Sequence, residues 1–137
     1  MNLRDISRRV GIAAGIVTVL ALAAPYAVLS GGADASQLAD YYASGAVGAA
    51  GIALFALLSV VVIASIERGN VDPGTLAGVA VMLGVATLLS TVLWLAAIDP
   101  SPLFRENLWL VWHARVVVAL SVPIPVAAAV YARELLA

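Results

Sequence analysis

The chain has 137 residues, of which 64% are hydrophobic and 11% charged, with a mean hydropathy of +1.07; soluble domains carry about 25% charged residues. Seven Arg, eight acidic residues and no Lys give a formal charge of −1, so no basic stripe exists to follow a phosphate backbone and nucleic acid is excluded as a partner. With no Cys, disulfides, thiol redox chemistry and thiolate metal sites are excluded as well. Four membrane spans of about 20 residues would use roughly 80 residues. What is left makes short connections, so the expectation is one integral membrane domain over 1–137, an all-α transmembrane four-helix bundle.

The first predicted span runs over about 10–29, behind a basic start that holds Arg4, Arg8 and Arg9, and carries Pro25 near its end. A basic start, an apolar run and small residues such as Ala33 and Ala35 also suit a cleaved signal peptide. The run is long enough to span, which favours a retained helix. The second span covers about 45–66, and Ser36 could cap an outer extension through Gln37–Ala43 that leads into it. Glu67–Gly74 clusters Asn, Asp, Pro and Gly as a tight turn requires, and the third span follows over about 75–98. In the fourth, about 108–132, Ser101 could cap and Pro102 occupy the first helical position. Pro123 and Pro125 fall in its middle, where each removes a backbone donor, so a kink is expected there.

Orientation follows from the arginines, because short Arg-rich loops stay on the cytoplasmic side. Placing both termini in the cytoplasm puts Arg4, Arg8, Arg9, Arg68 and Arg133 inside, against Arg105 and Arg115 on the other side. Asp34, Asp40, Asp99 and Glu106 then lie in outer loops. Tyr26, Tyr41, Tyr42, Trp94, Phe104, Trp109 and Trp112 fall near the outer boundary, as an aromatic belt does. Gly11 with Gly15, the series Gly45, Gly48 and Gly51, Gly74 with Gly78, and Ala80 with Gly84 offer small faces for close helix contact. The two hairpins, 1–68 and 69–134, share only a weak likeness at their Arg- and Glu-containing ends.

Chemistry has few places to reside. The first three spans contain no Asp, Glu, Lys, Arg or His, whereas proton relays and ion-coupled carriers need an ionisable group at depth. Small multidrug transporters rely on a Glu in their first helix, retinal proteins on a Lys, and disulfide-handling four-helix enzymes on Cys; all are missing here. The fourth span holds His113 and Arg115, two positions apart and therefore on nearly opposite sides of a helix. Arg115 is expected to snorkel toward the outer surface and stack on Trp112. His113 is expected to make an interhelical hydrogen bond to a carbonyl or hydroxyl. The competing reading makes Trp109, Trp112, His113 and Arg115 a site for a quinone, a lipid or a haem; haem would need a further axial ligand from a partner, because the chain has one His.

Ala24-Pro-Tyr26, Tyr41–Val47, Asp72–Gly78 and Trp112-His-Ala-Arg115, together with the lack of Lys and the Asp-bearing outer loops, resemble a family of small uncharacterised haloarchaeal four-span membrane proteins. The resemblance covers nearly the whole chain and implies a multi-pass cell-membrane protein, with no assigned activity to carry over. The functional expectation is a non-enzymatic accessory, assembly or scaffold component of a larger membrane complex, forming a homo-oligomer or joining other membrane subunits in the lipid bilayer. A quinone-, haem- or lipid-binding protein is the alternative, and a small transporter or channel a second.

Overall fold

A computed structural model describes residues 2–29, 39, 41–45, 47–98 and 109–136, and among these all regular structure is helical. Helix α1 is Leu3–Leu29, α2 is Gly48–Ser65 with a 3-10 turn Ile66–Arg68 behind it, α3 is Pro73–Ala97, and the last segment divides into α4, Trp109–Ser121, and α5, Pro123–Leu136. The helices form a ring in which α1 and α3 each pack against α2 on one side and the α4–α5 segment on the other, while α2 and α5 barely touch across the diagonal. Four of these segments are long and apolar enough to cross a membrane. Ser36 and Ser101, expected to cap, and Pro102, expected at the first helical position, lie outside the described residues.

Local signals explain the boundaries. Asn2 Oδ1 accepts from the Asp5 amide at 2.9 Å, which starts α1 seven residues ahead of its apolar run. Asp72 Oδ2 accepts from the Thr75 amide at 2.9 Å with Pro73 at the first helical position, so α3 begins two residues earlier than its hydropathy indicates. The expected extension into the second span is corrected. Residues 41–43 are helical, but Gly45 (φ 82°) and Gly48 (φ 67°) take left-handed conformations and turn the chain before α2 begins. The expected kink is present: the helix is interrupted at Val122, immediately before Pro123.

Many large apolar side chains point outward, and many of the buried positions are small. Leu20, Leu54, Met82, Leu89 and Val126 are exposed, while Ala56, Ala77, Ala80, Ala114 and Ala128 are buried between helices. This is the arrangement suited to lipid, where no hydrophobic drive separates inside from outside and backbones must approach closely. Buried hydroxyls return to their own helix: Thr18 donates to the Ala14 carbonyl, Ser59 to Phe55 and Thr87 to Leu83, at 2.7 to 2.8 Å. Thr91 and Ser121 also meet each other across α3 and α4 at 2.9 Å.

The tightest backbone approach is between Gly84 and the kink. A Cβ at Gly84 would lie 2.7 Å from Pro125 Cα, a distance that backbone atoms cannot yield to. Gly84→Val is therefore expected to lower stability by about 1–3 kcal/mol. Gly78, whose added Cβ meets nothing within 4 Å, should accept Ala with a gain of about 0.5–1 kcal/mol. Thermal or denaturant unfolding in detergent micelles reads both; equal effects at the two positions would contradict this packing.

Candidate functional site

Pro25 sits inside α1, and a proline has no amide to close on the carbonyl four residues earlier. The Ala21 carbonyl is thereby left without its helical donor. His113 Nε2 approaches that carbonyl at 2.5 Å from α4. A carbonyl only accepts, so Nε2 carries the proton, an assignment that follows from the hydrogen-bond network. Nδ1 is then an acceptor, and the Tyr41 hydroxyl donates to it at 2.5 Å. The same hydroxyl lies 3.2 Å from the Leu110 carbonyl.

Tyr41 is itself fixed from α3. The Trp94 indole donates to the Tyr41 carbonyl at 2.9 Å, and the two rings meet edge to face with centroids 4.9 Å apart. The Trp94 and His113 rings stand at 89° with centroids 6.4 Å apart. Tyr42 donates to the Leu22 carbonyl, a second tie to α1. Tyr41, Trp94 and Leu110 are fully buried here, among Leu22, Ile52, Ala114 and Val117. Burial pushes the Tyr41 phenol above its ordinary pKa, because an ionised phenolate would lose its hydration.

Of the residues singled out in the fourth span, the structure turns His113 inward and Trp112 and Arg115 outward. Trp112 is 67% exposed, with the Arg115 guanidinium 5.1 Å above its ring centre. Trp109 opens α4, and its side chain is outside the described set, as are Asp40, Asp99 and Glu106. Trp112 and Arg115 are brought together, and His113 is not with them. Its partners Tyr41 and Trp94 read in the sequence only as belt aromatics. The usable signal is Pro25, whose freed carbonyl calls for a donor from another helix.

A second cluster closes the opposite end; in the sequence its Arg4 and Arg8 bear only on orientation and its Glu67 reads only as part of a turn. Arg4 and Arg8 of α1 both pair with Glu67 of the 3-10 turn, at 3.2 and 3.8 Å. Tyr131 of α5 donates to Glu67 Oε1 at 3.0 Å. The His113 cluster joins the end of α1 to the end of α3 and the start of α4; the Glu67 cluster joins the start of α1 to the ends of α2 and α5. The four segments α1, α2, α3 and α4–α5 therefore run antiparallel in succession.

These features define an all-helical protein with four apolar helices of membrane-crossing length, closed at each end by a polar cluster. The chain belongs to a family of unknown function, DUF7548, which matches it over residues 1–136. No curated protein and no solved structure matches it.

Two tests address the His113 clamp. His113→Ala leaves the Ala21 carbonyl without its donor and should cost about 1–3 kcal/mol. Combined with Tyr41→Phe in a double-mutant cycle, the coupling should be about 0.6–1.7 kcal/mol, between the average and the maximum found for membrane helices; strict additivity would refute a shared bond. Alkaline titration supplies the second. Tyr41 has a higher pKa folded than unfolded, so its contribution to stability is fully present below about pH 10 and declines as pH rises further toward the folded value. Tyrosinate absorbance should show one tyrosine ionising only with unfolding, and Tyr41→Phe should remove that phase.

Proposed function

We propose that the protein is a multi-pass integral membrane protein of the cell membrane, with both termini cytoplasmic, that serves as an accessory, assembly or scaffold component of a larger membrane complex. The observation that carries this reading is the use made of His113. Both ring nitrogens are committed to holding the bundle, one to Ala21 and one to Tyr41, so the imidazole's chemistry goes into architecture. Axial ligation of haem would require breaking one of those bonds. The hydroxyls of Thr18, Ser59, Thr87, Thr91 and Ser121 are likewise spent inside the bundle, while the outward faces are apolar. Such a molecule meets partners through its helix faces.

A second reading, an amphiphile-binding protein, draws on one feature near the His113 end. Val19, Leu22, Ala23, Tyr42, Ala49 and Ala53 line much of a groove of about 540 Å³ between α1 and α2. That volume is within the roughly 300–1,000 Å³ of small-molecule sites, and its apolar walls suit the tail of a quinone or lipid.

Purification in mild detergent should yield a homo-oligomer or a co-purifying membrane subunit under the first reading; a strictly monomeric species without partners counts against it. Recovery of a stoichiometric quinone or a specific lipid on solvent extraction would favour the second. Because the chain has no Cys, Asn70→Cys in the turn between α2 and α3 gives a label site without background. It should react with an impermeant thiol reagent only from the cytoplasmic face; labelling from outside would reverse the orientation.

A further inference from the structure

The Glu67 cluster is not electrically balanced. Arg4 and Arg8 lie one turn apart on α1 and bring two guanidinium charges to one carboxylate. Glu67 Oε1 is shared between Arg4 and the Tyr131 hydroxyl. Arg8 sends a further bond to the Ala64 carbonyl at 3.2 Å, and Arg4 lies 5.6 Å over the Tyr131 ring. Arg4 Nε and Arg8 Nε are buried and make no hydrogen bond, so the exposed parts of the two groups are their other atoms. Two guanidinium groups offer ten N–H donors, far more than these acceptors satisfy, and among the described residues Glu67 is the single carboxylate paired with the two charges. The two side chains are nonetheless 41% and 30% exposed, so an acceptor from outside can reach them.

We propose that Arg4 and Arg8 form a binding site for a phosphate oxyanion. Several acceptor oxygens on one centre match two guanidinium forks better than a single carboxylate does. The site is also in the first turns of a 27-residue helix, where the macrodipole favours an anion. Glu67 holds the two arginines in place and competes with the ligand for them. The phosphate can come from a phospholipid headgroup or from solution; the lipid source rests on the membrane placement proposed above, whereas the oxyanion site does not.

The test uses the full chain in neutral detergent micelles, with phosphatidylglycerol, phosphatidylcholine or inorganic phosphate as the probe and bound ligand counted by native mass spectrometry. Arg4→Gln with Arg8→Gln should weaken phosphatidylglycerol binding about tenfold or more, as loss of charged hydrogen bonds does. Arg9→Gln and Arg133→Gln, outside the cluster, should change it little. Glu67→Gln removes the competitor and should tighten binding, a direction that a purely structural role for the cluster does not produce. Unchanged binding in the Arg4/Arg8 variant would overturn the proposal. So would equal losses at Arg9 and Arg133, or weaker binding in a Glu67→Gln protein that keeps its helix content and melting temperature. Competition by inorganic phosphate assigns the site to soluble anions, and its failure to compete assigns it to lipid. Phosphate binding by a chain that alkaline washing strips from bilayers would remove the membrane reading and leave the site standing.

Discussion

A missing amide at Pro25 governs one end of this bundle. In an apolar medium an unsatisfied carbonyl costs several kcal/mol, about as much as a small domain's whole margin of stability. The donor for Ala21 must therefore come from another helix, and His113 supplies it. That choice fixes the imidazole's tautomer, which makes Nδ1 an acceptor and obliges a second donor to be present. Tyr41 is that donor, and it can act only if its own backbone is held, which Trp94 does from α3. One absent hydrogen atom thus dictates contacts among three helices and the segment between α1 and α2.

Between the two polar ends, cohesion has a different source. In the proposed membrane setting lipid tails compete equally for apolar side chains, so helices gain from packing only where their backbones come closer than lipid can. The kink at Val122 and the glycine at position 84 serve each other in this respect. Pro125 brings its ring and backbone against α3, and only a residue without Cβ leaves room for them. The Thr91–Ser121 pair lies on the same two segments and adds a polar contact just before the helix breaks. A break in the fourth segment therefore fits a notch in the third.

The helical segments and the kink were legible in the sequence, because each rests on local chemistry, hydropathy over a window and a ring without an N–H; Asp72 and Pro73 read only as part of a turn, although they cap and open α3. The resemblance to an uncharacterised family also stands at that level. His113 was legible as an interhelical hydrogen bonder, though the identity of its partners was not. Tyr41 lies 72 positions away and Trp94 53 positions from Tyr41, and nothing local distinguishes them from aromatics at a membrane boundary. Arg4, Arg8 and Glu67 were hidden for a related reason. The proposed orientation rests on counting the arginines in the sequence, but the convergence of these three residues depends on how three helix ends meet.

The two ends differ in the physics they use. At the His113 end the bonds join neutral groups in a buried to half-buried setting, where a lowered local dielectric strengthens each one. At the Glu67 end the charges are partly exposed, and pairs of that kind contribute little once solvent screens them. What holds that end is the apolar contact beneath the charges, Ile63, Ile66, Ala77 and Tyr131, so its arginines are freer to turn toward an external anion without cost to the fold. On the proposed reading this division of labour is functional. One end locks the helices permanently, and the other presents charge to the surface that the complex assembles on.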